Sequence, residues 1–282
     1  MSESTTPDQL GLLDPVPDDF RGVWQRTLLQ TDLSAGEHMV NDSTTWVRWL
    51  QTSLWHGHLS VPQHIQHDRP AQPLSALLPS QLGALTEQNG FTGITKIASL
   101  PEGLVCKWLH RVDYQPPSVL PDAGWMLGDR PGHLIEIGVH AEYNATWELL
   151  PDSTGRFIAL AGVNQRGQDD GSRIMVAGRY LMCVRPRVKR WPRGMTPGYT
   201  LTDVMLTYPE LALAWLDCEV SFGVLTQGHW HIERSTLPDR ENQQKPFELQ
   251  RLGEGRAQLM SPDMPSDWQI LEWTADGDRI TA

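Results

Sequence analysis

The sequence predicts an all-β protein: two antiparallel β-barrels packed together, with one or two short helices. Three observations point there. Short runs of alternating apolar and polar residues, punctuated by Gly, Pro and Asp, recur along nearly the whole chain, which is the pattern of half-buried antiparallel strands. Only two segments interrupt it with helical spacing. The 282 residues also hold twelve tryptophans, and Trp brings a large apolar body with a single donor that suits the inside of a barrel or pocket.

Residues 1–19 are polar and proline-punctuated and are expected to form a disordered or loosely docked tail. Order is expected from "FRGVWQRTLLQ", residues 20–30. Alternating runs follow at 45–51, 54–61, 91–97, 104–114, 134–143 and 146–150. The second half adds runs at 157–163, 174–188, 219–225, 230–234, 247–252 and 268–273. A helix is predicted over 79–88, where proline opens it and Asn89-Gly90 closes it. A second spans about 200–215, with Pro209 as a break. Strands precede the first helix and follow the second, so the chain divides into an N-terminal barrel, 20–150, and a C-terminal barrel, 151–282.

Composition narrows the function classes. A formal net charge of -11 argues against a general nucleic-acid binder, which needs a basic field to meet phosphates. The N-terminus lacks the basic and apolar regions of a secretory signal. No apolar run reaches the ~20 residues of a spanning helix. Cys106, Cys183 and Cys218 are odd in number and widely spaced. They read as small buried apolar residues in a reducing cytoplasm rather than as disulfide partners. A Gly-rich phosphate cradle, a G-x-S-x-G elbow and a CxxC pair are all missing from the sequence, which counts against nucleotide, serine-hydrolase and thiol-redox chemistry.

Successive side chains of a strand point to opposite faces, so each run has two readings. In "LWHGHLSV", 54–61, Trp55, Gly57, Leu59 and Val61 share the apolar face, expected to be the core. His56 and His58 then turn outward or into a wet gap. "GHWHIE" repeats the arrangement with His229 and His231. Either pair could begin a metal site, but each needs further ligands from elsewhere, and a solvated strand face is the plainer reading. In "LVCKWLHRVDY" the phase puts Cys106, Trp108, His110, Val112 and Tyr114 together and Asp113 opposite. In "HLIEIGVHAEY", Ile135, Ile137, Val139, Ala141 and Tyr143 form the apolar face. Glu136, His140 and Glu142 form a polar row, either solvated or, in a polar lumen, able to do acid–base work. Arg185, Arg187 and Lys189 alternate on a later run, protecting a sheet edge or forming an anion strip.

Gly22-Val23-Trp24, followed by Arg26, resembles the first-strand signature of lipocalins and related calycins, in which the tryptophan seals one end of the barrel. The wider set "GVWQRTLL", "TTWVRWLQTSLWHGHLSVP", "NGFTG", "WLHRVDYQPP" and "LDCEVSFG…WHIERSTLP" is similar to a family of two-barrel, lipocalin-like proteins of bacteria and fungi, over most of residues 20–240. The resemblance implies the two-barrel fold. Its fungal branch is associated with a casein kinase and with the translocation machinery of the endoplasmic reticulum. No catalytic mechanism carries over residue by residue, and the family has a Tyr-x-Asp pattern where His56 and His58 stand.

The function expected first is binding of a small apolar or aromatic metabolite in a Trp-lined barrel. Trp24, Arg26, Trp49, Trp55, Trp108 and Trp147 would wall the site. If the protein is catalytic, His110, Asp113, Tyr114, Glu136 and His140 would move protons in a hydration, isomerisation or hydrolysis that needs no cofactor or metal. The alternatives are a non-catalytic interaction scaffold, with a protein partner or a second copy of the chain, and a His-dependent metal enzyme.

Overall fold

The structure is a computed structural model that describes residues 14–31, 39–67, 71–191, 198–261 and 264–281. Residues 1–13 of the expected tail lie outside these. The described part of that segment is packed: Val16 and Phe20 are buried, and a single 3-10 turn covers Asp18–Phe20.

The N-terminal half is one antiparallel sheet of nine strands: β1 (Gly22–Thr31), β2 (Val40–Asp42), β3 (Trp46–Gln51), β4 (Trp55–Val61), β5 (Asn89–Leu100), β6 (Gly103–Asp113), β7 (Asp122–Arg130), β8 (His133–Gly138) and β9 (Tyr143–Leu149). Pairing of β1 with β9 along nearly its whole length closes eight of these strands into a barrel, with β2 as a short flap on the end of β1. Closure removes exposed sheet edges, and eight strands leave an interior just wide enough for side chains or one small ligand.

The C-terminal half is a ten-stranded antiparallel sheet. Its strands are β10 (Phe157–Val163), β11 (Asp169–Ala177), β12 (Tyr180–Arg185), β13 (Glu219–Thr226), β14 (His229–Ser235), β15 (Gln244–Pro246), β16 (Glu248–Arg251), β17 (Arg256–Met260), β18 (Asp267–Trp273) and β19 (Arg279–Thr281). The order runs from β15 through β14 to β10, then through β18, β17 and β16 to β19. Inward side chains from most of these strands, including Ile174, Leu181, Trp230, Leu249 and Trp268, fill a core of their own.

A third core lies between the two sheets. The outer face of β4, with Trp55, Leu59 and Val61, meets Met175, Met182, Val184 and Phe222 of β11, β12 and β13. Gly57 makes the approach close, since a Cβ there would stand 2.3 Å from the Met182 sulfur. Short helices roof this seam: α1 (Gln63–His67), α2 (Pro79–Leu85), α3 (Leu201–Thr207) and α4 (Ala212–Leu216). Pro79 opens α2, and Pro209 sits in the 3-10 turn that separates α3 from α4.

Three expectations change here. β12 is a central strand, so Arg185 protects no edge; it pairs with Asp217 at 2.5 Å. The apolar face of β4 serves the seam rather than the barrel interior, so Trp55 is absent from the lumen and lies under the Arg173 guanidinium at 4.5 Å. Tyr114 is also in the seam, where its hydroxyl donates to the Leu85 carbonyl at 3.0 Å. All three cysteines are buried and free.

Candidate functional site

The lumen of the N-terminal barrel is built from the inward face of each strand. β1 contributes Trp24 and Arg26 and, beyond a bulge at Thr27, Leu29 and Thr31. β3 contributes Trp49, β6 Trp108, and β9 Tyr143, Ala145 and Trp147. Four tryptophans therefore converge. Trp24 stacks on Trp49 at 6.1 Å, and Trp108 and Trp147 meet Trp49 edge-on at 5.8 and 5.7 Å. Trp24 closes the lower end, with its indole N–H donating to the Phe20 carbonyl at 2.9 Å. Above it remains a cavity of about 280 Å³, lined by Trp49, Trp108, Trp147, Phe91, Arg26, His58, Asp122, Glu136 and Tyr143, among others.

Both histidines of the opening pair point into this lumen, the reverse of the sequence reading. His58 stacks on Phe91 at 4.7 Å, and Phe91 stacks on His110 at 3.8 Å, giving a three-ring ladder across β4, β5 and β6. Each apolar strand face found a core, but for β4 that core is the seam, which left the inner face free for polar groups. The second pair behaves as expected: His229 and His231 face away from the core that Trp230 and Ile232 enter.

His56 is fully buried and sits in a defined network. Thr95 donates its one hydroxyl proton to Gln51 Oε1 at 2.7 Å, so its oxygen accepts from His56 Nδ1 at 3.1 Å. That assigns the proton to Nδ1 and leaves Nε2 a buried acceptor with no partner among the described residues. Burial, with His110 and His58 nearby, holds His56 well below the usual imidazole range. Burial, with Arg26 and His110 nearby, likewise lowers His58 to about 3, although part of its surface borders the cavity.

His110 is the opposite case. Its Nδ1 meets Asp113 Oδ2 at 2.5 Å and its Nε2 meets Asp122 Oδ2 at 2.9 Å, so both ring nitrogens donate and the ring is an imidazolium. Burial works against this charge, but the two carboxylates outweigh it and raise the pKa to about 9. The sequence phase placed Asp113 on the far side of the strand. A bulge corrects it: Thr92 pairs with Val112 and Gly93 with His110, so Arg111 is an extra residue that turns Asp113 inward and Val112 outward.

Glu136 stands on the polar face of β8, which here is the lumen face, and is only 6% exposed. Gly124 on the neighbouring strand leaves room for it, since a Cβ there would lie 2.7 Å from Glu136 Cγ. The Tyr143 hydroxyl donates to Glu136 Oε1, and Trp147 Nε1 donates to Oε2 at 2.9 Å. Burial raises its pKa to about 7 against the lowering effect of those two donors and of Arg26, and Asp122 adds to the rise. Burial also lowers Arg26, which keeps its charge through Asp42 at 2.9 Å. His140 lies apart from the cavity. β8 ends at Gly138, and His140 is exposed in the turn that follows, on a separate, open depression lined by residues 137–144 with Gln30 and Met39.

The structure thus brings together His110, Asp113, Glu136, Arg26, Trp24, Trp49, Trp108 and Trp147, and leaves out Tyr114, His140 and Trp55. His58, Phe91, Asp122 and Tyr143 were not proposed from the sequence as lumen residues; the pairing of His58 with Phe91 rests on the register of β4 with β5, which only the structure shows. Among the described residues, no three His, Cys, Asp or Glu side chains converge as a metal-ligand set, and no helix is long and apolar enough to cross a membrane. Comparison with protein-family models, curated proteins and solved structures returns no match.

Proposed function

We propose that the N-terminal barrel is a binding site for a small, largely apolar or aromatic molecule, and that Glu136 exchanges a proton with it. The observation that carries this reading is the setting of Glu136: a buried carboxyl on the wall of an indole-lined cavity, oriented through both oxygens by Tyr143 and Trp147. A carboxyl held near pH 7 is able either to give or to accept a proton at neutral pH, which is what general acid–base chemistry needs. The indoles supply area and shape, and the cavity suits a ligand smaller than drug size. The position of Trp24 at the closed end of the barrel supports a lipocalin-like assignment for it.

Native mass spectrometry of freshly purified protein tests the binding claim, with tryptophan fluorescence following any released molecule on its return. A retained organic molecule that leaves on Trp108→Ala or Trp147→Ala is the expected result. A consistently empty barrel whose fluorescence no aromatic compound perturbs would count against it. The proton-transfer claim fails if Glu136→Gln turns over the identified ligand at the parent rate.

A further inference from the structure

We propose that the molecule held in the N-terminal barrel carries a positive charge, an organic ammonium attached to an apolar or aromatic body. This rests on the binding-site reading above and adds the ligand's charge. Among the described residues, the cations that face the lumen are Arg26 of β1 and His110 of β6. The carboxylates are Asp42 of β2, Asp113 of β6, Asp122 of β7 and, once ionised, Glu136 of β8. His58 is neutral, and Tyr143 and Cys106 are pushed by burial further toward their neutral forms.

Pairing uses up both cations. Arg26 is bound to Asp42, whose carboxylate is also fixed by hydrogen bonds from Thr44 and Thr45. The His110 imidazolium is shared by two carboxylates, so that cluster is one negative charge in excess before Glu136 is counted. Among the described residues, an anionic ligand would meet Asp122 and Glu136 with no cation that is not already paired with a carboxylate. A cationic ligand meets the unmatched carboxylate charge and the indoles of Trp49, Trp108 and Trp147. Trp49 is crossed at 85° by Trp108 and at 72° by Trp147, so ring planes bound the cavity in more than one direction. Cations are drawn to indole faces, most strongly where water is excluded. Entry of a cation would also favour the ionised form of Glu136, coupling binding to release of a proton.

Three probes of nearly one shape separate charge from fit: phenethylamine (cationic at neutral pH), 2-phenylethanol (neutral) and phenylacetate (anionic). Their affinities for the unmodified protein are read by tryptophan fluorescence and calorimetry. Phenethylamine is expected to bind at least about tenfold tighter than 2-phenylethanol, equivalent to one cation–π or ion contact, with phenylacetate the weakest. Its affinity should rise several-fold from pH 6 to pH 8, with a heat that depends on the buffer's ionisation enthalpy. Glu136→Gln should abolish that pH dependence, and Asp122→Asn should lower the preference for the amine. If 2-phenylethanol or phenylacetate binds as tightly as the amine, the charge inference is wrong while the cavity remains a binding site. If none of the three binds, both the cavity reading and this inference fall.

Discussion

His110 and Asp113 face each other at 2.5 Å although they are three residues apart on one strand, because β6 bulges at Arg111 between them. The bulge depends on the strand opposite. A Cβ at Gly93 would stand 1.9 Å from the Leu109 carbonyl oxygen, and that obstacle is backbone. Gly93→Ala is therefore expected to destabilise the fold by about 1–3 kcal/mol, as overpacking does, and to separate His110 from Asp113. Gly83→Ala, in α2 with nothing within 4 Å of the added Cβ, should instead stabilise by roughly 0.5–1 kcal/mol. Urea unfolding of the two variants beside the parent measures both. A Gly93→Ala protein as stable as its parent would show that the bulge does not need glycine opposite it.

The charge on His110 makes a second prediction. Its pKa is raised in the folded protein, to about 9 from an ordinary 6.5. The stabilisation is therefore complete below about pH 6.5 and is lost as pH climbs through about 9. In Asp113→Asn/Asp122→Asn the loss should disappear from the alkaline limb of the stability curve. Nitrogen NMR gives an independent reading: at pH 7.5 both ring nitrogens of His110 should be protonated, whereas His56 should be neutral with its proton on Nδ1. A neutral His110 at that pH would refute the assignment.

His56 and His58 act on the other limb. Both are depressed by burial, His58 to about 3, so the unfolded chain takes up protons that the folded one refuses. Their contribution to stability is lost as pH drops below about 6.5. His58→Gln should blunt that loss, retaining more of its pH 7 stability at pH 4.5 than the parent does. Chemical denaturation at the two pH values makes the comparison, and an unchanged acid limb would place the destabilising protonation elsewhere.

These histidines also show how far the sequence could be read. Alternation along β4 correctly separated Trp55, Leu59 and Val61 from His56 and His58. It could not say which set faced the lumen, because the outer face of β4 is buried against β11 to β13 and is as apolar as any interior. On β14 the same HxH pattern was readable, since only its inner face meets a core. On β8 the row of Glu136, His140 and Glu142 was broken by the end of the strand at Gly138, where a Cβ would strike the Ala141 carbonyl at 2.2 Å. The all-β class and the convergence of four tryptophans were legible in composition and period. The bulge at Arg111 and the three-core packing were not, because both depend on partners distant in sequence.

Glu136 connects stability with the proposed chemistry. Its carboxyl is raised to about 7 by burial, against donors that favour the charged form. Between about pH 4.5 and 7 the folded protein therefore holds a proton that the unfolded chain has released, and stability declines as pH rises through that window. Above it the full cost of keeping a carboxylate in the lumen is present, on the order of 3 kcal/mol. Glu136→Gln removes the titration while its amide oxygen can still accept from Trp147 and its NH2 can donate to the Tyr143 hydroxyl oxygen. The variant should match or fall below the parent at pH 4.5 and become the more stable of the two at pH 8. Such a crossover is the behaviour of a side chain retained for chemistry at the expense of stability. Parallel stability curves for the two proteins across this range would mean that Glu136 ionises as easily in the barrel as in water, and the case for it as a proton donor and acceptor would fail with them.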